Sequence, residues 1–377
     1  MLIYRIIEED IKERLRESDK LIVLYGARQV GKTTLVESVL KQLNYKTLMI
    51  NADEERFTDI LSSRDSRKLF ELVEGYELLF IDEAQRIPDI GINLKILIDQ
   101  KKDLKIIATG SSSFELANKL AEPLTGRKWT FTLFPISQLE LKKNFNTYEL
   151  KSRLEPHLIW GGYPEIYQLK GTDLKISYLR ELSSDYLYKD ILKLEEIRHP
   201  HKIRDLLKLL AYQVGQLVSL NELGNHLGMS KETVSRYIDL LEKSFIIFKL
   251  TGFNRNLRKE ITKMNKYYFY DLGFRNSVID NFKALKDRDD QGALWENFLV
   301  VERLKRNAYS KQFVAPYFWR TYTGAEIDYI EESEGALRGY EFKWVRKNIH
   351  APKTWLEKYQ QASWEMITNE NWLDFVT

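Results

Sequence analysis

The sequence predicts an α/β protein that begins with a parallel β-sheet covered by helices on both faces. Short apolar runs alternate with amphipathic helical patterns over residues 1–150, as a helix-covered parallel sheet requires. A glycine-rich loop joins the first of these runs to a helix. Because a chain of 377 residues is longer than a single domain of ordinary size, further domains are expected to follow.

Five apolar runs are expected to form the strands of this sheet. They are KLIVLYG at 20–26, KTLMINAD at 46–53, YELLFIDE at 76–83, LKIIATGSS at 104–112 and WTFTLFP at 129–135. Amphipathic helices are predicted at the N-terminus and over 31–43. Changes of pattern divide the chain into a core at 1–150, a helical lid or linker at 151–202, a winged helix-turn-helix at 203–268 and a small α/β unit at 269–377.

Composition excludes several classes of protein. The chain has no cysteine, which removes disulfides, thiolate catalysis and cysteine-ligated metals. A net charge of +3 on 58 basic and 55 acidic residues means that any nucleic-acid surface must be local. Neither a signal peptide nor a run of about 18 apolar residues is present. We therefore expect a cytoplasmic protein without a membrane partner.

The loop after the first strand has the pattern G-x-x-x-x-G-K-[ST], which binds nucleoside triphosphates. Its glycines let backbone N–H groups face phosphates at a helix N-terminus. Lys32 is expected to reach the β and γ phosphates, and Thr33 to bind Mg²⁺. The nucleotide-binding residues predicted here are Gly26, Ala27, Arg28, Gln29, Val30, Gly31, Lys32, Thr33 and Thr34.

Two carboxylates end the third apolar run, and their position predicts ATP hydrolysis. Asp82 is expected to hold Mg²⁺, and Glu83 to orient and deprotonate the attacking water. Thr109 and Ser111, which end the fourth run, are candidate sensors of the γ phosphate. Arg127 is a candidate catalytic cation, acting within its own chain or across a subunit interface. Each of these assignments has a plainer alternative. The acidic pair could be a solvated strand end, Thr109 and Ser111 could belong to an ordinary serine-rich turn, and Arg127 could be a surface arginine.

These motifs resemble those of a known group. The segments GARQVGKTT, FIDEAQRIPD, ATGSSS, LTGR and GGYPE look like those of the bacterial and archaeal AAA+ ATPases that carry a C-terminal domain related to restriction endonucleases. The resemblance implies a five-stranded ATP-binding core, a winged helix and a nuclease-like end whose active site is either intact or degenerate. It implies ATP and Mg²⁺ as cofactors but no particular cellular role.

Residues 217–238 are expected to form a helix-turn-helix. Ser219 and Ser230 are positioned to cap its two helices. The shared core would consist of Leu220, Leu223, Leu227, Val234, Ile238 and Leu241. The start of the second helix, which enters the major groove in DNA-binding versions, carries Lys231, Thr233, Ser235 and Arg236.

A basic segment after the helix-turn-helix is a candidate wing. Its basic residues are Arg255, Arg258, Lys259, Lys263 and Lys266, against the single acid Glu260. Such a hairpin can bind phosphate backbones with little sequence preference. The alternative is a winged helix that packs against protein, and the sequence leaves both open.

The C-terminal unit carries the layout D…(D/E)-x-K. Asp328 and Glu341 could hold a metal ion, and Lys343 could stabilise charge at a phosphate. Strand periodicity places Glu341 and Lys343 on one face, and Glu296 on the preceding helix is a further candidate acid. The aromatic residues nearby are expected in the core: Trp319, Tyr329, Tyr340 and Trp344. A helix is predicted at 292–306 and another near 353–365.

Three hypotheses of function remain open on the sequence. The first is an ATP-driven switch that controls a DNA-associated C-terminal half. The second is a regulatory or scaffold ATPase whose C-terminal half binds protein partners, including further copies of itself. The third is an ATP-dependent nuclease, which differs from the first only in an active C-terminal carboxylate site.

Overall fold

The computed structural model describes residues 3–111, 124–186, 200–253, 264–321 and 323–377. Within these ranges, no helix has both the length and the apolar surface needed to cross a membrane. The predicted wing residues Arg255, Arg258, Lys259 and Lys263 lie outside the described residues.

The first part of the chain is a five-stranded parallel sheet with helices on both faces. Its elements are α1 (Ile7–Glu17), β1 (Leu21–Gly26), α2 (Lys32–Leu43), β2 (Thr47–Asn51), α3 (Glu55–Leu61), α4 (Ser66–Leu72), β3 (Leu78–Asp82), α5 (Ile90–Gln100), β4 (Lys105–Gly110) and β5 (Lys128–Leu133). The strand order is β2-β3-β4-β1-β5, and every pairing is parallel. All five predicted strands are therefore confirmed.

The central strands of this sheet are buried on both faces. Along β1, Ile22 and Leu24 belong to one hydrophobic cluster, whereas Leu21 and Val23 belong to a second cluster on the other face. This alternation follows from the two-residue period of a strand. The continuous apolar runs seen in the sequence are what burial on both faces requires.

A set of helices follows the sheet and packs into the first of these clusters. It consists of α6 (Gln138–Leu141), α7 (Thr147–Ser152), α8 (Leu154–Trp160), α9 (Thr172–Tyr186) and α10 (Pro200–Tyr212). Gly161 and Gly162 interrupt the helices between α8 and α9. Gly161 has a φ of 75°, and a Cβ there would lie 2.2 Å from an Asp271 carboxylate oxygen. This close approach, which only glycine permits, joins the turn after α8 to the C-terminal half.

The two helices predicted for the helix-turn-helix are present as α11 (Leu220–Leu227) and α12 (Lys231–Lys243). Ser219 accepts a hydrogen bond from the Glu222 amide, and Ser230 accepts one from the Thr233 amide, which confirms both caps. The six predicted core side chains all belong to or pack against the shared hydrophobic cluster.

A six-stranded sheet joins the helix-turn-helix to the C-terminal unit. Its elements, with the helices around them, are β6 (Ile247–Gly252), β7 (Lys266–Phe269), α13 (Leu272–Val278), α14 (Gln291–Tyr309), β8 (Ala315–Arg320), β9 (Glu326–Ser333), β10 (Ala336–Phe342), α15 (Lys353–Lys358), β11 (Ser363–Ile367) and α16 (Trp372–Val376). The order is β11-β10-β9-β8-β6-β7. Because β6 pairs with β7 and β8, the sheet crosses the boundary predicted at residue 268.

Two expectations about the C-terminal half are wrong. The helix predicted near 353–365 ends at Lys358, and residues 363–367 instead form β11, which pairs in parallel with β10. Lys266, predicted on an exposed basic hairpin, is only 2% exposed because its side chain pairs with two half-buried carboxylates. The helix predicted at 292–306 is confirmed as α14.

A buried polar group lies where α8 meets α14. His157 is buried, and its Nδ1 lies 3.3 Å from the Tyr167 hydroxyl. Burial, together with the nearby Lys305 ammonium, lowers the pKa of His157 to about 3. Glu302 lies 3.8 Å from the His157 ring, but it also pairs with Lys305 at 2.7 Å. The histidine is therefore neutral in the folded protein at neutral pH.

This histidine is expected to make the protein less stable in mild acid. In the unfolded chain, His157 becomes protonated below its ordinary pKa of about 6.5. In the folded protein it stays unprotonated down to about pH 3, so acid favours the unfolded chain. The contribution of the group to stability is full above pH 6.5 and falls by up to about 1.4 kcal/mol per pH unit below it. Urea unfolding at pH 7.5, 6 and 5 should therefore show a weaker pH dependence for His157→Gln than for wild type. Parallel pH profiles of the two proteins would refute this assignment.

Candidate nucleotide-binding site

The glycine-rich loop lies between β1 and α2, at the carboxyl end of the sheet. A Cβ on Gly26 would lie 2.3 Å from the Leu133 carbonyl oxygen of the neighbouring strand β5, so a larger residue does not fit. Gly31, directly before α2, has a φ of 94°, which glycine adopts without strain. These two glycines allow the loop to turn tightly into the N-terminus of α2.

Lys32 is the first residue of α2, and its side chain lies along the loop. It is 5% exposed, and its ammonium donates hydrogen bonds of 3.0 Å to the carbonyl oxygens of Gly26 and Ala27. A helix N-terminus with a neighbouring ammonium attracts anions. The role of Lys32 at the phosphates stays a prediction.

The structure brings together the two residues predicted to bind Mg²⁺. The Thr33 hydroxyl, in the first turn of α2, donates a 2.7 Å hydrogen bond to Asp82 Oδ2 at the end of β3. The Thr109 hydroxyl donates to the other carboxylate oxygen of Asp82. These contacts join the ends of β3 and β4 to the phosphate loop, although β4 separates β3 from β1 in the sheet.

Glu83 is held by a separate set of hydrogen bonds. It has a φ of 53°, and its Oε2 accepts a hydrogen bond of 3.0 Å from Ser111. The Gln85 side-chain amide donates both to Glu83 Oε2 and, at 3.2 Å, to Ser111 Oγ. Thr109 and Ser111 therefore orient the acidic pair, and their role as sensors of the γ phosphate stays a prediction. Sequence reasoning missed Gln85, although it stands two residues after Glu83.

Of the two alternatives left open for Arg127, the structure does not support action within its own chain. Arg127 immediately precedes β5, which pairs in parallel with β1 from Leu21↔Lys128 to Gly26↔Leu133. It therefore lies at the opposite end of the sheet, roughly 20 Å from the loop at about 3.3 Å per residue. Its guanidinium pairs with Asp99 at 2.7 Å. A role across a subunit interface stays a prediction.

Arg5 is a second residue that the sequence did not reveal. It is 7% exposed and donates to the Val30 carbonyl of the phosphate loop at 2.9 Å and to the Phe134 carbonyl after β5. It also pairs with Glu140 at 2.8 Å. No local pattern predicts these contacts, because Glu140 lies 135 residues away in the chain.

A cavity of about 440 Å³ opens beside the phosphate loop. The N-terminal segment, the loop and the start of α2 form one side of it, and the segment after the Gly161–Gly162 turn forms the other. Ile3, Leu35 and Tyr178 provide apolar surface, while Gln29 and Gln168 provide polar groups. Its volume and mixed lining are typical of a small-molecule site.

The oxygen donors beside the loop fit a magnesium ion that is shared with a nucleotide. Thr33 and Asp82 supply hard oxygen ligands, and Mg²⁺ in proteins commonly has only one or two carboxylate ligands plus substrate phosphates. In the described residues, no group of three or more His, Cys, Asp and Glu side chains is placed to hold a metal. Bound phosphate would supply further ligands to a metal held by Thr33 and Asp82.

The remaining predicted site residues fall into two places. In the helix-turn-helix, Lys231, Ser235 and Arg236 are exposed, whereas Thr233 is half-buried and its hydroxyl lies 3.1 Å from Ser230 Oγ. In the C-terminal unit, Lys343 interacts electrostatically with the three predicted acids, which are Glu296, Asp328 and Glu341. The four aromatic residues predicted in the core are buried or, for Trp344, half-buried.

Family models match three consecutive parts of the chain. A model described as AAA domain matches residues 18–142, and domains of unknown function, DUF8612 and DUF4143, match residues 151–285 and 291–369. The parallel sheet, the glycine-rich loop and this match together define an AAA domain of the P-loop NTPase class, which supports ATP binding.

The chain belongs to the same family as Uncharacterized protein Rv2008c of Mycobacterium tuberculosis. The two are 30% identical over 353 residues, which is 91% of this chain and 74% of the relative. Uncharacterized protein MJ1544 of Methanocaldococcus jannaschii is 25% identical over 80% of this chain and 70% of its own length. Among solved structures, the RuvB Holliday junction branch migration motor of Thermotoga maritima matches 66% of this chain and 90% of that chain, with 18% identity and a TM-score of 0.34.

Proposed function

We propose that the protein is a switch that binds and hydrolyses Mg²⁺-ATP and passes its nucleotide state to the C-terminal half. The observation that supports this most directly is the hydrogen bond of 2.7 Å between Thr33 and Asp82, with Glu83 next in the chain. A hydroxyl at a phosphate loop and a carboxylate after another strand of the same sheet are the protein ligands of Mg²⁺ in P-loop NTPases.

Each residue of the site has a distinct role in this proposal. Lys32 and the loop amides bind the phosphates, and Thr33 and Asp82 would hold Mg²⁺, which neutralises phosphate charge when bound. Glu83 accepts the proton of the attacking water. Ser111 and Gln85 fix the carboxylate of Glu83 through the hydrogen bonds described above, so that it needs little reorientation during the reaction.

The cavity beside the loop is proposed to hold the nucleoside. It adjoins the loop through Gln29 and Gly31, and Pro164 and Tyr178 approach from the lid helices. A nucleoside placed there would contact both the sheet domain and the lid. Binding and release of nucleotide would therefore bias the position of the lid relative to the sheet.

The path to the C-terminal half is proposed to run through Arg5 and α14. Arg5 binds the loop carbonyl of Val30, and it interacts with the Tyr309 hydroxyl at the end of α14. That hydroxyl also accepts a hydrogen bond of 3.2 Å from the Phe134 amide. About two turns earlier on α14, Glu302 accepts a hydrogen bond of 2.6 Å from the Gln138 amide. A change at the loop thus acts on one rigid helix.

Tyr309→Phe is expected to uncouple the two halves without loss of ATP affinity. The variant removes only the hydroxyl that contacts Phe134 and Arg5, while the ring retains its packing against Phe134. Hydrogen exchange should show that a non-hydrolysable ATP analogue protects α14 in wild type and protects it less in the variant.

Tyr329→Phe is a matched control, because Tyr329 is also buried but its hydroxyl faces Glu331 inside the C-terminal unit. It should behave as wild type does. If hydrogen exchange in α14 of the wild-type protein is the same with and without nucleotide, the proposed path is refuted.

DNA is proposed as the partner of the helix-turn-helix, on the basis of the exposed start of α12. Replacing Lys231 and Arg236 with alanine is expected to weaken duplex binding by about tenfold and to lower the salt dependence by about two counterions. Anisotropy titrations of a labelled duplex at several salt concentrations measure both effects. Lys283→Ala with Lys286→Ala removes the same charge from exposed positions elsewhere. Unchanged binding in the first pair would favour the alternative, a protein partner.

A further inference from the structure

The C-terminal unit holds a cluster of carboxylates between its sheet and α14. Glu296 comes from α14, Glu326 and Asp328 from β9, and Glu341 from β10. These acids include the residues that the sequence suggested as a nuclease metal site. A divalent metal there would need carboxylate oxygens that are free to turn towards it.

Lys266 enters this cluster from β7, the second strand of the β6–β7 hairpin that follows the helix-turn-helix. Its side chain is 2% exposed, and its ammonium lies 2.6 Å from Glu326 and 3.1 Å from Glu296. The Tyr268 hydroxyl also donates a 2.7 Å hydrogen bond to the same oxygen of Glu296. Although burial alone would lower the pKa of Lys266, the carboxylates around it raise that pKa. The ammonium therefore stays charged among the acids.

Lys343 neutralises the other half of the cluster. Its ammonium lies 2.6 Å from Glu341 and 3.9 Å from Asp328. The Phe342 amide donates a hydrogen bond of 2.8 Å to Asp328 Oδ2. Each of the four carboxylates thus has an ammonium within ion-pair distance. Two of them, Glu296 and Asp328, also accept a hydrogen bond from an uncharged donor.

We infer that Lys266 and Lys343 take the place of a divalent metal in this cluster, so that the C-terminal unit is a metal-free joint and not a nuclease. A metal ion among these acids would lie beside the buried ammonium of Lys266 and the half-buried ammonium of Lys343. Its attraction to the acids would be offset by repulsion from these two groups. The cluster instead connects β7 of the β6–β7 hairpin to α14 and β9. Removing one member would leave buried charges unpaired, which is costly.

The joint also holds the β6–β7 hairpin against the C-terminal unit. Because Lys266 reaches Glu296 on α14 and Glu326 on β9, the hairpin is fixed by side chains as well as by the pairing of β6 with β8. The helix-turn-helix and the C-terminal unit would then move together as one body. This inference does not depend on ATP binding.

Titration of the nucleotide-free full chain with Mn²⁺, followed by electron paramagnetic resonance, tests the inference. Wild type and a variant with Asp328→Asn and Glu341→Gln should bind Mn²⁺ equally, because the cluster holds no metal. Weaker Mn²⁺ binding by the double variant than by wild type would overturn the inference.

Lys266→Met gives the complementary test, since it removes the internal cation and keeps an unbranched side chain. It should bind Mn²⁺ at least about tenfold more tightly than wild type, and adding Asp328→Asn should abolish the gain. A folded Lys266→Met protein with no gain would contradict the role given to the lysine. If this variant does not fold, the comparison of wild type with the double variant remains decisive.

Discussion

Replacing Glu83 with glutamine is expected to reduce ATP hydrolysis by about 10²- to 10⁴-fold, which is the usual contribution of a general base. The amide has nearly the same shape as the carboxylate but cannot accept the proton of the attacking water. It can still receive the hydrogen bond that Ser111 donates to this position. Phosphate release under steady-state conditions measures the loss.

The affinity for ATP should change little in this variant, because Glu83 does not bind the phosphates. Binding of a fluorescent ATP analogue separates this outcome from a general loss of structure. Glu74→Gln, at an exposed position before β3, makes the same chemical change outside the site and should keep wild-type turnover. Wild-type hydrolysis by the Glu83 variant would remove this residue from the mechanism.

Lys32→Ala is expected to weaken ATP binding by about 10- to 100-fold, since a hydrogen bond to a charged group contributes about 1.5–3 kcal/mol. The ammonium lies against the loop carbonyls of Gly26 and Ala27, so its loss removes a cation that is expected to contact the phosphates. Equilibrium titration with ATP and Mg²⁺ measures the change.

A suitable control is Lys41→Ala, which alters an exposed lysine in the last turn of the same helix. Circular dichroism and thermal melting should show that both variants are folded. Equal affinities of Lys32→Ala and wild type would exclude this lysine from the phosphate site.

The geometry of the candidate nucleotide site was largely predictable because its main features are local in the chain. The loop from Gly26 to Thr33 is one contiguous motif, and the acidic pair directly follows an apolar run. Parallel strands end at the same edge of a sheet, so the sequence also predicted that Asp82 would lie near the loop. The sequence left the position of Arg127 open, and the strand that follows it runs in parallel with β1, which puts Arg127 at the far end of the sheet.

Contacts between distant parts of the chain were not predictable in this way. Arg5 meets Glu140 and the loop only after the N-terminal segment packs beside β5, and no motif marks that packing. Lys266 looked like one of several exposed basic residues, yet tertiary pairing with Glu296 and Glu326 buries it. The C-terminal strand β11 was taken for helix because its stability comes from pairing with β10, which local periodicity does not reveal.

Calorimetric titration of the wild-type chain with a non-hydrolysable ATP analogue tests the nucleotide site most directly. With Mg²⁺ present, we expect saturable binding to a single site in each chain, and weaker binding after the metal is removed with EDTA. No saturable heat under magnesium-replete conditions would contradict the proposed function.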